Sequence, residues 1–267
     1  MGDSDSLSSD TDRRFSGLGR IYGVAGAKAI RGSHVAVVGI GGVGSWAAEA
    51  LARSGVNTLT LIDMDHVSES NINRQIQAHS NTLGMAKIKA MQERIALINP
   101  NCQVNCIDAF VDAENFQQLL GSGVNAVVDA CDQVSAKTAM AQWARTQGIH
   151  FISIGAAGGK RQTHCIDICD LSQVTHDPLL AQVRYRLRKS HGAPKEGKKI
   201  GVSCVFSKEP VMPADASCDL QSDGSLNCHG YGSLVTVTAS FGLSAAGWVI
   251  DEIYKKSQRE RKNNAII

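Results

Sequence analysis

Nowhere in this chain do two cysteines stand as C-x-x-C, although it carries eight of them. A four-cysteine zinc site of the usual form needs that spacing, so this class of metalloprotein is excluded. Cys102/Cys106 and Cys165/Cys169 are C-x-x-x-C pairs, and Cys131, Cys204, Cys218 and Cys228 are scattered. Cys165 and Cys169 fall on one face of an expected strand, which suits small buried hydrophobes. A reduced, cytoplasmic setting is the simplest account. A large net charge is also missing: the balance is +2, which excludes a general polyanion binder and leaves room for local patches. There is no internal repeat. No apolar run suits a membrane span, because Thr, Ser and Gly dilute the small apolar residues between Tyr231 and Tyr254. Met1 to Asp12 has neither an apolar core nor a basic amphipathic pattern, so neither a signal nor a transit peptide is expected. Its serines and aspartates predict a disordered tail over 1–12.

What is present is ordinary globular material: 267 residues, 43% hydrophobic and 19% charged, enough for one large domain. Its centre is Val35-Ala36-Val37-Val38-Gly39-Ile40-Gly41-Gly42-Val43-Gly44-Ser45, where a β-branched run ends in closely spaced glycines and a helical pattern begins at once. This predicts a strand, a tight turn and a helix N-terminus. Missing Cβ atoms let backbone approach a phosphate, and the N–H groups and positive dipole end of the helix favour the anion. A second strand, Thr58 to Ile62, leads to Asp63, about 20 residues on, where an acid typically meets ribose hydroxyls.

Asp65, Asn71, Asn73, Arg74 and Gln75 follow in a polar stretch just past that strand, where doubly wound sheets keep their ligand sites. Ile88, Met91, Ile95 and Ile98 recur at helical spacing until Asn99-Pro100, with Lys87 in the first turn. A cation there opposes the helix dipole and hints at an anion in the same place. Strands at Gln103–Ile107, Ala126–Ala130 and His150–Ile154 alternate with helices around Glu114–Leu120 and Ser135–Gln147. The pattern predicts an α/β fold with a doubly wound, mostly parallel Rossmann-like sheet. Beyond Gly155 to Gly159 come an alternating strand (Thr163 to Asp170), a helix from Asp177-Pro178 and a polar loop from Ser190 to Gly201. A strand (Val202 to Phe206), a turn-rich stretch (Pro213 to Ser225) and a buried helix in Tyr231 to Tyr254 complete this C-terminal extension. The expected organisation is one domain over 13–254, with a nucleotide half (13–159), a substrate and dimerisation half (160–254) and a charged tail (255–267).

The residue types suit carboxylate adenylation. Arg74 offers bidentate contacts to phosphate oxygens and Lys87 a compact charge. Asp132, after the strand ending at Ala130, suits a magnesium ion arriving with ATP, or else caps the following helix. Asn71 suits phosphate or metal-bound water, and Asp65 the nucleotide or a brace for its own loop. Arg74, Lys87 and Asp132 are the expected catalytic residues; Gly39, Gly41, Gly42, Gly44, Asp63, Asp65, Asn71 and Gln75 complete the expected nucleotide site.

In order and spacing, Gly39-x-Gly41-Gly42-x-Gly44, Asp63-x-Asp65, Asn71-x-Asn73-Arg74-Gln75, Lys87 and Asp129-Ala130-Cys131-Asp132 resemble the ubiquitin-activating-enzyme-like (ThiF/MoeB/HesA) adenylating family. Gly155 to Gly159, Asp177-Pro178-Leu179, Gly201 to Ser207 and Thr236-x-Thr238-Ala239-x-Phe241-Gly242 resemble the branch that dehydrates threonylcarbamoyladenosine in tRNA. The likeness runs from about Phe15 to Tyr254.

The resemblance implies an enzyme that adenylates the threonyl carboxylate beside the anticodon and closes a ring with loss of water, releasing AMP and pyrophosphate. It implies ATP and Mg2+, with Na+ or K+ as a further ion, and tRNA held by Arg184, Arg186, Arg188, Lys189, Lys198 and Lys199. It implies a homodimer in which an N-terminal arginine of one subunit reaches the ATP of the other, with Arg14 and Arg20 both fitting. Cys228 stands where such relatives have a cysteine linked to sulfur relay from a cysteine desulfurase, and a buried inert thiol is the other reading. The alternatives are adenylation of a ubiquitin-like sulfur carrier's C-terminus, nicotinamide-dependent redox chemistry, and a catalytically silent nucleotide-binding module.

Overall fold

The computed structural model describes residues 3–195, 197–213, 215 and 231–264, with side chains from Arg13 onward. Seven strands form one sheet: β1 (His34–Val38), β2 (Thr58–Ile62), β3 (Gln103–Ile107), β4 (Ala126–Asp129), β5 (His150–Ile154), β6 (Ile166–Asp170) and β7 (Ser203–Ser207). Their order is β3-β2-β1-β4-β5-β7-β6, all neighbours parallel except the antiparallel β6–β7 pair at the edge. The doubly wound, mostly parallel sheet expected from the alternation is therefore present, and the second half of the chain extends it.

Period-two alternation within strands decides which helices cover which face. From β1, Val35 and Val37 point into a core built with α2 (Gly44–Arg53), α3 (Lys87–Ile98) and α7 (Val235–Asn264). Ala36 and Val38 point into the other core, with α4 (Phe116–Leu120), α5 (Val134–Gln147) and α6 (Pro178–Ser190). Near-continuous burial of β1, β2 and β4 follows from cover on both sides.

Two expectations about the ends are corrected. The first helix, α1, runs from Asp3 to Arg31 with kinks at Phe15 and Gly23, so most of the stretch read as a disordered tail is helical. Composition measured its low hydrophobicity, which does not measure helix propensity. At the other end α7 continues to Asn264, through residues read as a charged tail. Lys, Arg, Glu and Gln are good helix formers, and Lys255 pairs with Glu252 at 2.7 Å. Cys165 is likewise in a 3-10 turn and not on β6, and both it and Cys169 are part-exposed. Among the described residues no helix is long and apolar enough to cross a membrane.

The C-terminal helix is fitted closely to the first turn of α2. A Cβ on Gly242 would collide with the Val43 carbonyl and stand 2.8 Å from Ala47 N and 2.9 Å from Trp46 Cβ. Gly242→Ala is expected to cost about 1–3 kcal/mol, since backbone and not a flexible side chain must move. A urea unfolding curve with a lowered midpoint and unchanged slope is the check.

Candidate functional site

The Gly39–Gly44 turn sits at the carboxyl end of β1. A Cβ on Gly44 would strike the Gly39 carbonyl, so the turn closes only with glycine there. At Gly41, by contrast, an added Cβ would meet nothing within 4 Å. The middle of the turn therefore faces open space, just before the α2 N-terminus, whose first turn lacks acidic residues and whose N-cap lacks a side-chain partner.

Asp63 follows β2 and is turned onto this loop. Its carboxylate accepts from Ile40 N at 2.6 Å and from Asp65 N at 2.8 Å. Burial raises the Asp63 pKa above the ordinary carboxylate value, against the opposing pull of Lys87 and those N–H groups. Asp65 pairs with Lys87 Nζ at 2.7 Å, and Lys87 N donates to the Asp65 carbonyl at 2.9 Å. The lysine side chain is 5% exposed and its aspartate partner 56%. A buried ammonium on a half-exposed carboxylate can be drawn to a stronger anion at little cost in stability.

Arg74 lies across the turn, its Cγ and Cδ 3.1 Å from where a Gly42 Cβ would be. Its Nη1 donates to the Ser70 carbonyl at 2.7 Å and to Asn73 Oδ1 at 2.9 Å. Asn71 is buried, and its Oδ1 accepts from Ser68 N at 3.1 Å, which braces the 3-10 turn Glu69–Asn71. Gln75 is buried and accepts from Gln77 Nε2 at 3.2 Å.

Asp132 is exposed on the loop between β4 and α5. The helix-cap alternative fails: α5 begins after Gln133 with no side-chain cap. Its loop touches the glycine turn, because Ala130 O and C lie 2.9 and 3.0 Å from where a Gly39 Cβ would be. No cluster of three His, Cys, Asp or Glu stands among the described residues. One exposed carboxylate fits magnesium that brings its other oxygen ligands with it on a nucleotide, and would not suit a dedicated protein cage.

Sequence reading missed the residues that hold these in place. Trp46 Nε1 donates to the Arg74 carbonyl at 2.9 Å, and Gln77 Nε2 to the Ile40 carbonyl at 2.9 Å. Lys137 is fully buried under the Asp132 loop, 3.0 Å from Asp129 Oδ2, and donates to the Cys131 carbonyl at 2.8 Å. Asp129 also accepts from Ser153 Oγ at 2.7 Å. Burial alone would lower the Lys137 pKa; Asp129 beside it outweighs this and raises it. Burial, then the Asp129 carboxylate, pushes the Cys131 thiol well up. A lysine on the stripe 137, 140, 141, 144 was the available signal, since the other three positions are Met140, Ala141 and Ala144.

The expected N-terminal arginines do not join this site within the chain. Phe15 packs on Gly55, after the far end of α2, and Arg14 donates to the Ile98 carbonyl at 3.3 Å. Ten helical residues separate that end from the glycine turn, about 15 Å. Arg20 is exposed on α1.

Nor is the basic helix uniform. Arg184 Nη1 donates to the Leu171 and Val174 carbonyls at 3.0 and 2.8 Å, and Arg188 Nε to Pro194 O at 3.1 Å. Those two cations brace loops of the chain itself. Arg186, Lys189, Lys198 and Lys199 are exposed. Asp177 caps α6 and also accepts from Ala156 N at 2.9 Å, which ties the helix start to the loop after β5. The exposed cations lie toward the other rim, Lys189 about 18 Å along the axis from Asp177. Cys228 lies outside the described residues.

The ThiF family pattern matches residues 13–266. A tRNA threonylcarbamoyladenosine dehydratase of Haemophilus influenzae is 43% identical over 247 residues, covering 92% of this chain and 95% of that protein. The Escherichia coli protein of the same name is 40% identical, covering 93% and 96%. The crystal structure of the E. coli enzyme in complex with ATP superposes with a TM-score of 0.84 at 39% identity, over 93% of this chain and 96% of that one.

Proposed function

This chain belongs to the ThiF family, and from that premise we propose that it is the ATP-dependent dehydratase of N6-threonylcarbamoyladenosine in tRNA. The observation that carries the site assignment is the convergence of the open Gly41 position, Arg74 across Gly42, and Lys87 reached through Asp63 and Asp65. Two cations and a helix N-terminus gathered about one open turn support the binding of an anion there.

ATP is proposed to lie with its phosphates on that turn. An oxygen of the threonyl carboxylate attacks the α-phosphorus, the bond to the bridging oxygen breaks, and pyrophosphate leaves. Arg74 and Lys87 neutralise the charge that grows on the departing oxygens, Lys87 by leaving Asp65. An internal nitrogen or oxygen of the modification then attacks the acyl carbon. AMP departs with the former carboxylate oxygen and the attacking atom loses its proton, so one water is removed overall. Asp132 would hold magnesium on the phosphates, where the ion supplies charge neutralisation. Most of the rate comes from placing the groups, with little covalent work for the protein.

The modified base enters beside Gly155–Gly159, where a cavity of about 340 Å³ is lined by His176, Asp177, Pro178, Arg184 and Pro210 among others. The tRNA backbone then follows α6 toward Arg186, Lys189, Lys198 and Lys199, a salt-sensitive and sequence-blind contact. Arg14, remote from the site of its own chain, and the exposed Arg20 fit a homodimer in which one of them serves the second copy. A monovalent cation near the glycine-rich loop and sulfur delivery to Cys228 belong to the same reading as subsidiary proposals; ring closure consumes no thiol.

AMP release from Mg·ATP with tRNA bearing the modification, absent with unmodified tRNA and matched by loss of one water from the nucleoside, is the expected result. AMP formation only with a ubiquitin-like carrier protein would move the chain to sulfur-carrier activation, the reading with less support.

A further inference from the structure

Asn73 belongs to the motif that supplies Arg74, yet nothing above gives it a task. Both ends of its amide are committed, to partners far apart in the chain. Its Oδ1 accepts from Arg74 Nη1 at 2.9 Å, and its Nδ2 donates to the Ser233 carbonyl at 3.2 Å. The receiving segment, 231–234, is pinned in turn to the loop after β5. Gly159 N donates to the Gly232 carbonyl at 2.9 Å, and a Cβ on Gly158 would stand 3.5 Å from Tyr231 Cβ. One exposed amide thus joins the arginine on the phosphate side to the loop where the acceptor enters.

We infer that Asn73 is a positioning residue that couples the two sites: when phosphate draws the Arg74 guanidinium, Asn73 settles segment 231–234 against the loop after β5. This rests on the assignment of ATP to the glycine turn. Arg74 Nη1 is shared between Ser70 O and Asn73 Oδ1, so a phosphate that reorients the guanidinium changes what holds the amide. The fold does not depend on this link, because α7 is seated on α2 by buried Val237, Phe241 and Ala245. A single hydrogen bond of this kind shifts a two-state balance by about fivefold, enough for regulation and too little for architecture.

Asn73→Asp separates the two ends. It keeps an acceptor for Arg74 and replaces the donor to Ser233 with an oxygen that repels the carbonyl. Hydrogen exchange of amides 231–234, with and without a non-hydrolysable ATP analogue, needs no tRNA. The expected result is analogue-induced protection of about fivefold in the wild type, absent in Asn73→Asp at saturating analogue. In turnover at saturating ATP, Asn73→Asp is expected to raise the KM for modified tRNA about fivefold; its new carboxylate pairs with Arg74 and is expected to weaken ATP binding as well. Protection of 231–234 in Asn73→Asp equal to the wild type overturns the coupling, as does an unchanged KM for modified tRNA. A wild type that binds the analogue and protects the segment but releases no AMP with modified tRNA would sink the dehydratase reading and leave the coupling standing.

Discussion

Lys137→Ala is expected to cost about 3–5 kcal/mol, a large share of the roughly 5–15 kcal/mol that holds a typical domain together. Lys137 and Asp129 are both fully buried, 3.0 Å apart. The lysine also serves the Asp129 and Cys131 carbonyls at 3.3 and 2.8 Å, and the carboxylate also takes Ser153 Oγ and Cys131 N. Removing the cation leaves a buried carboxylate and two carbonyls without their partner. The sign is specific to breaking the pair: exchanging both members for apolar groups is often neutral. Lys137→Met with Asp129→Leu is therefore expected to be more stable than the sum of the single losses predicts, although Ser153 Oγ, Cys131 N and the Cys131 carbonyl lose their partners. Urea unfolding of the two single variants and the double separates the cases. A double variant as unstable as the sum of the singles would show that packing volume, and not charge, is what Lys137 supplies. Because the same lysine holds the carbonyl of the residue just before Asp132, surviving Lys137→Ala protein is expected to show a raised magnesium requirement.

Arg74→Ala is expected to lower kcat for AMP release by about 10²–10³, the usual consequence of deleting one preorganised group at developing charge. Fold stability is not at stake, since the guanidinium is tied only to Ser70 O and Asn73 Oδ1 on its own loop. Arg74→Lys tests the geometry within the charge. A lysine keeps the cation and loses the planar fork, so about tenfold of the loss is expected to remain. Pre-steady-state pyrophosphate release measures the adenylation step itself. A wild-type burst with Arg74→Ala and slowing only later in turnover would place Arg74 in ring closure or product release.

The β1 turn was legible because several independent constraints coincide there: a strand that must be apolar on both faces, glycines forced by backbone contact, and a helix starting at once. The strands at 103–107 and 150–154 were read to the residue for the same reason, with helices marking both sides. Roles were less legible than places. Asp63, read as a ribose ligand, also accepts from Ile40 N and Asp65 N, and Asn71 Oδ1 accepts from Ser68 N. Both motif side chains thus organise the loop as well, a task that spacing does not show. On the basic helix the charge was visible, but not that Arg184 and Arg188 hydrogen-bond carbonyls brought close by the return of β6 and the loop after α6. The N-terminal helix was missed because serines and aspartates were weighed only as composition poor in core residues.

The seating of Gly242 on the first turn of α2 sets the order in which a growing chain can mature. The contact between Val43 and Gly242 spans roughly 200 residues, among the longest separations available in a chain of this length. Until α7 has been made, the apolar face waiting for Val237, Phe241 and Ala245 is bare. A nascent chain stalled before α7 is thus expected to be sticky and chaperone-bound.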